Sequence, residues 1–577
     1  LAEITGRVVH PSTYEVSPWL LLVVPTLGGL VSGFLVYRFA PEAEGHGTDS
    51  AIDAYHNKRG YIRPVVPLIK MVTSAITLGT GGSGGREGPI AQIGAGFGSF
   101  LATRLRLSDN ERRTLMAAGL GAGIGAIFHA PLAGAIFAIE VLYRDPDFEA
   151  EGLIPAFIAT AVAYSVFSMA FGLNAFKPLF AVDPSLEFTK PWALLGPLAV
   201  LALTMALASL LYVKTFYGIH AAFQKMKMPR MLKPALVAML TGLTAVIIYF
   251  ALANAHAAAR HDALSVLSFG YGFLQKVLDP GSSTFLTSSA IADGSGVGFA
   301  STLLLIVGLG KILTTALTIG SGGSGGVFGP SMVIGGSLGA VVGLAFHKIM
   351  PGVVGYDDVV VFAILGMASF FAAAANTPVS TLIMVSEMTD SYALLMPSMW
   401  VCALAYLVSR RWTLYREQVA SRIDSPAHRG DFIIDIMRGL TVRQAMTDAH
   451  RRFLTVPLDM PLAELGRIMT TTLQSSFPVV DNEGRYHGLF SLNDIRQFLY
   501  DSEVGSLAVA QDLETVALEP LTLEMDLSDA ITRFAEEPFD ELPVVDKADP
   551  NRIVGMLKRQ DLITLYDKRL LELRTAR

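Results

Sequence analysis

Long apolar runs separated by short polar stretches dominate most of the chain. Pro18–Phe39, Pro191–Val213, Pro234–Ala255 and Leu394–Ser409 carry almost no charge. Runs near or above roughly 18 such residues predict helices that cross a membrane. The pattern changes after Ser409. From there, charged amphipathic stretches alternate with short Val/Ile runs, as in a soluble α/β fold. The predicted fold class is an all-α polytopic membrane domain followed by a smaller α/β region.

One stretch interrupts the apolar pattern. "TGGSGGREGPIAQIG", Thr80–Gly94, places five glycines between Gly81 and Gly88, with Arg86 and Glu87 among them. Glycine at that density is costly inside a helix, and irregular backbone survives at membrane depth only where it is buried in protein or lines a polar cavity. The segment also recurs. Leu68–Pro89 (LIKMVTSAITLGTGGSGGREGP) aligns without a gap with Leu309–Pro330 (LGKILTTALTIGSGGSGGVFGP). A second pair, Ala118–Glu140 and Leu365–Glu387, matches Pro131 with Pro378 and Glu140 with Glu387. Membrane repeats with Gly-interrupted segments at matching places point to a transport site at the repeat interface. A glycine turn leading into a helix bares backbone N–H groups at the positive end of the helix dipole. Two such turns aimed at one point make an anion site without a full cation, from which an anion can leave again.

The soluble half repeats too: Phe477–Leu499 parallels Leu542–Leu565, each a strand, turn, strand and helix with an apolar helix before it. This predicts a tandem pair of small α/β modules.

Composition narrows the class. Among 577 residues, 52% are hydrophobic and only 16% charged, against about a quarter charged in soluble proteins; the mean hydropathy is +0.48. A large soluble core does not fit these values. The net charge of −6 averages two unlike halves, and nothing favours nucleic acid as a partner. Basic clusters at Arg104–Arg113, Lys225–Lys233 and Arg410–Arg416 mark candidate cytoplasmic segments. The last leads directly into the soluble half, which is therefore expected in the cytoplasm. The first apolar run lacks the basic flank and cleavage site of a signal peptide, and the lone Cys402 excludes an intramolecular disulfide. Both glycine segments formally fit G-x-G-x-x-G. They follow apolar membrane segments rather than a βαβ strand, and neither is followed by GK[ST], so dinucleotide and phosphate-loop chemistry are not supported. No metal cluster or nucleophile triad stands out in the membrane half, and an enzyme is not expected.

At these residues the chain resembles the CLC family of chloride channels and chloride/proton antiporters. Gly85–Pro89 (GREGP) matches the family's G(K/R)EGP segment and Gly326–Pro330 (GVFGP) its GxFxP segment. Pro41–Asp49 takes the place of the GSGIP segment, and Leu414–Arg422 that of the last membrane helix with its pore tyrosine. The tail from about Leu440 to Tyr566 resembles paired CBS domains. The implied organisation is a CLC-type permeation domain over 1–430 with two inverted repeats, a linker and first CBS domain over 431–502, and a second CBS domain with a C-terminal helix over 503–577. The resemblance implies a multi-pass homodimer in a bacterial inner membrane, one pore per subunit, with chloride or another small anion and the lipid bilayer as partners. It makes Glu87 the gating carboxylate, competing with anion at the outer site. It places His46, Arg86, Glu87, Gly88, Val327, Phe328, Gly329 and Tyr415 on the anion path. The alternative for Glu87 is an acid that merely stabilises its helix. Lys70 and Lys311, at equivalent repeat positions, either draw anions inward or snorkel to an interface.

Two departures shape the functional expectation. His46 stands where the family has serine; an imidazole both donates and accepts, so bicarbonate joins chloride as a candidate anion unless the ring points away. In "FAIEVLYR", Val141 stands where antiporters commonly carry a proton-relaying glutamate. Valine cannot carry a proton, so a passive gated anion channel, opened by protonation or displacement of Glu87, is the expected function, with anion/proton antiport as the alternative. In the CBS pair, Ser491 and Asp494 in one copy and Lys558 and Asp561 in the other are candidate ligands for an adenine nucleotide. No cofactor is required, and a tail that stabilises a dimer without ligand is the other reading.

Overall fold

The computed structural model describes residues 17–172, 178–182, 191–252, 255, 257–279, 295–428, 437, 439–447, 450–469, 472, 474–491, 509–513 and 518–575. The chain forms two compact units, residues 1–427 and 428–577.

The first unit is all helix. In chain order it contains α1 (Pro18–Phe39), α2 (Thr48–Asn57), α3 (Val65–Gly79), α4 (Glu87–Arg104), α5 (Asp109–Phe128), α6 (Pro131–Glu140) and α7 (Ala150–Ala170). There follow α8 (Pro191–Lys225), α9 (Lys233–Ala251), α10 (Ala257–Ala263), α11 (Tyr271–Leu278) and α12 (Ser295–Gly320). Last come α13 (Phe328–Ile349), α14 (Asp358–Ala375), α15 (Pro378–Thr389) and α16 (Leu395–Ser409). Among the described residues, eight helical spans are long and apolar enough to cross a membrane. Each of the four runs singled out by hydropathy contains a long helix, although Pro234–Ala255 runs past the end of α9 at Ala251. Proline opens many of them, where its missing N–H costs nothing, as at Pro131 and Pro378. Ser108 and Glu111 form a capping box at the start of α5.

The repeats seen in the sequence are repeats of structure, and they hold each other. Thr73 donates to Ser324 at 3.0 Å, and its counterpart Thr314 donates to Ser83 at 3.1 Å. The Glu140 carboxylate accepts from the backbone N–H groups of Val379 (2.9 Å) and Ser380 (2.7 Å) at the start of α15. Glu387 does the same for Ala133 (2.8 Å) at the start of α6. Each carboxylate thus caps the positive end of the other repeat's helix. Helices α5 and α14, equivalent in the two halves, both end on a left-handed residue, His129 and Asn376. The glycine segments themselves pair: Gly85 N–H donates to Gly326 O at 2.7 Å, and Gly326 N–H to Gly85 O at 2.5 Å.

Among the described residues the second unit has two three-stranded sheets of identical order, β1-β2-β3 and β4-β5-β6, opened by β1 (Val456–Pro457) and β4 (Leu521–Thr522), each with a parallel then an antiparallel pairing. Strands β2 (Ser476–Val480) and β3 (Tyr486–Ser491) match β5 (Glu541–Asp546) and β6 (Asp549–Lys558). Val479 pairs Gly488 and Val544 pairs Gly555, with a register shift immediately after both valines. The apolar helices Leu462–Met469 and Leu527–Glu536 precede these hairpins as expected. In the first hairpin the backbone N–H of Arg485, joined by His487 and the Arg485 side chain, holds the Asp481 carboxyl well below the usual carboxylate range.

Candidate functional site

Four helix N-termini gather around the paired glycine segments: those of α2, α4, α11 and α13. None carries a side-chain cap; the residues before them are Gly47, Arg86, Gly270 and Val327. Their N–H groups are therefore left for a ligand or a carboxylate. Gly47 (φ 84°) and Gly270 (φ 80°) both take a positive φ at equivalent turns, where a side chain would be strained.

Glu87 is the first residue of α4 and is wholly buried. Its carboxylate does not cap its own helix. One oxygen accepts from Gly329 N–H at 3.2 Å, in the first turn of α13, and the other accepts from the Tyr271 hydroxyl. A negative group thus sits on the bared end of the opposite repeat, where an anion would bind. Val327, Phe328 and Gly329 form that end, and Gly88 lies against Gly326 and the His46 carbonyl. Arg86 is half-buried, with its guanidinium 5.9 Å from the centre of the Tyr271 ring.

His46 and Tyr415 lie together, ring centres 5.4 Å apart. Both are buried. His46 Nε2 is 3.7 Å from Asp49, and its Nδ1 has no protein partner. The Tyr415 hydroxyl lies near the side chain of Thr48, the first residue of α2. A hydroxyl is therefore present at the α2 terminus two residues after the expected serine, a feature that sequence matching at position 46 overlooks.

Lys70 and Lys311 neither snorkel nor face a vestibule. Both are completely buried. Lys70 donates to the carbonyls of Ala43 (3.0 Å) and Gly45 (2.6 Å), just before α2. Lys311 donates to Ser265 (3.0 Å), Leu267 (3.2 Å) and Ser268 (2.6 Å), just before α11. Each lysine fixes the loop that aims one helix end. Val141 is buried directly after Glu140, and its carbonyl accepts from Gln418.

Sequence reasoning missed Tyr271. The signal was a Gly-then-helix turn, "SFGYGF", equivalent to "GHGTD". It is hard to see because the turn glycine precedes its lysine by 23 residues in one copy and 41 in the other.

In the CBS unit, Lys558 pairs with Glu541 at 3.2 Å and Asp561 accepts from His450 at 2.7 Å. Two of the expected nucleotide contacts thus already have internal partners. Ser491 ends β3, and Asp494 lies outside the described residues.

Residues 28–410 match the family model described as voltage gated chloride channel, and residues 442–501 and 511–568 each match that of the CBS domain. A putative chloride channel protein, ClcB-like, from Ralstonia nicotianae is 27% identical over 395 residues, covering 68% of this chain and 82% of that protein. An H(+)/Cl(-) exchange transporter, ClcA, from Vibrio parahaemolyticus is 29% identical over 406 residues, covering 68% and 77%. The fold is similar to that of a slow cyanobacterial Cl-/H+ antiporter (TM-score 0.57, 21% identity, 69% and 84% covered). It is also similar to that of a CLC-type fluoride/proton antiporter (TM-score 0.53, 21% identity, 70% and 97% covered). The multi-pass helical unit with its two paired repeats, followed by two CBS modules, makes this chain a member of the voltage-gated chloride channel (CLC) family.

Proposed function

We propose that the protein exchanges small anions, chloride foremost, for protons across a bacterial inner membrane. One observation carries the reading: the Glu87 carboxylate rests on the Gly329 N–H, in the place of an anion. Anion and ionised carboxylate compete for the same donors. Protonation removes the charge that holds Glu87 there, admits an anion, and links the two ions through one position. The exchange of both ions, rather than passive flow, is favoured by relatives named H(+)/Cl(-) exchange transporters. This reverses the order of preference that Val141 suggested. Passive conduction remains the second reading, supported by the buried valine after Glu140. The basic cluster at Arg410–Arg416, just before the second unit, favours a cytoplasmic CBS pair.

The test is proton movement in liposomes under an imposed chloride gradient, with voltage set by an ionophore. Uphill proton movement in fixed ratio to chloride is expected, lost in Glu87→Gln while chloride flux persists. Chloride flux without proton movement in the native protein would replace exchange by passive conduction.

A further inference from the structure

The gate carboxylate has two holders, and only one of them is backbone. The Gly329 N–H holds one oxygen of Glu87; the Tyr271 hydroxyl holds the other. We propose that Tyr271 is the latch of the gate, a positioning residue that keeps ionised Glu87 seated and so sets the anion concentration and pH at which the path opens. The inference rests on the gating role of Glu87 proposed above.

Three features show that the hydroxyl is placed rather than incidental. Tyr271 is the first residue of α11, set there by left-handed Gly270. Its ring packs edge-on against Phe180, with centres 5.3 Å apart, and under the Arg86 guanidinium. The preceding loop is pinned by three carbonyl contacts from Lys311 and is tied to the gate's own loop, where Gly84 N–H donates to Ser268 O at 3.2 Å. Gly329 leaves room for the pair: a Cβ there would stand 2.9 Å from the Tyr271 oxygen and 3.1 Å from a Glu87 oxygen. The latch is therefore sterically matched to the helix end that Glu87 occupies. Lys311 and Tyr415 lie within electrostatic reach of Glu87, and Arg86 is its chain neighbour. Those groups remain in the variants below, so a change on removing one hydroxyl reports the latch.

A hydrogen bond to a charged acceptor is among the stronger neutral-donor contacts in a dry site. Its loss weakens the seated, ionised state relative to the protonated and the anion-occupied ones. Tyr271→Phe keeps the ring and removes only the donor. In reconstituted liposomes it is expected to raise chloride flux at pH 7.5 about tenfold. The pH of half-maximal flux should move up by roughly one unit, because less acid is then needed to unseat the carboxylate. In the Glu87→Gln background the same substitution should change flux by less than about twofold, since no ionised carboxylate is left to hold. Tyr271→Met, which also lacks a donor, supplies the comparison if the phenylalanine variant does not reconstitute. Native rate and pH midpoint in a folded Tyr271→Phe protein would overturn the latch alone. An equal rise in both backgrounds would also overturn it, as a packing effect. If Glu87→Gln itself behaves as the native protein does, the gate falls and the latch with it.

Discussion

The two membrane repeats agree wherever they build the scaffold and differ wherever an ion would be handled. Lys70 and Lys311 hold equivalent loops, Thr73–Ser324 mirrors Thr314–Ser83, and Glu140 and Glu387 cap each other's partner helices. At the site, the first repeat supplies Glu87, His46 and Thr48, while the second has Phe328, Phe269 and Tyr271 in the corresponding places. Symmetry therefore separates residues that hold the protein together from the candidates for handling an ion. A buried charge that recurs in both halves is structural until shown otherwise; a buried charge present in only one needs a chemical reason.

Breaking the scaffold should have the largest effect. Glu140→Ala leaves the Val379 and Ser380 N–H groups and the Ser380 hydroxyl without their acceptor in a buried setting. A loss of about 4 kcal/mol is expected, read as a lower melting temperature of the detergent-solubilised protein. Glu387→Ala, at a partly buried site with fewer donors, should lose less; the reverse order would refute the capping account.

Next comes the asymmetric pair His46 and Phe269. The unpartnered Nδ1 of His46 gives an anion a group that either donates or accepts. Bicarbonate, which carries its own proton, could bond to that nitrogen in either tautomer, whereas chloride needs it as a donor. His46→Ser should lower bicarbonate flux relative to chloride by about tenfold. An unchanged ratio of the two fluxes would show that the ring takes no part in selection.

The smallest effect sharpens the symmetry itself. Thr73→Val and Thr314→Val should each cost about 1 kcal/mol, and by nearly equal amounts, in the same melting experiment. A large inequality would mean that the two crossings differ in load despite matching geometry.

Much of this division was legible in the amino-acid order. The ungapped alignment of the glycine segments located both bared helix ends, and the resemblance of GREGP to the family segment singled out Glu87. The lysines were located, but not the loops they hold. Their partners are carbonyls of loops 25 to 46 residues away in the chain, and no local pattern records where such a loop returns. Tyr271 escaped because unequal spacing hides the turn it starts from, and because tyrosine in an apolar run ordinarily signals packing. Thr48 was overlooked for a related reason: a motif compared position by position does not register a hydroxyl supplied two residues further on, at the start of the helix.

The paired backbone of Gly85 and Gly326 has a mechanical consequence. Many transporters with inverted repeats expose their site by rocking one half against the other. Here the halves exchange two main-chain hydrogen bonds at the site itself, 2.7 and 2.5 Å long, so such rocking would tear the centre on every turnover. Under the exchange proposed above, this stitched backbone would favour a cycle run by side-chain rotation, as of Glu87, over one run by movement of the two halves.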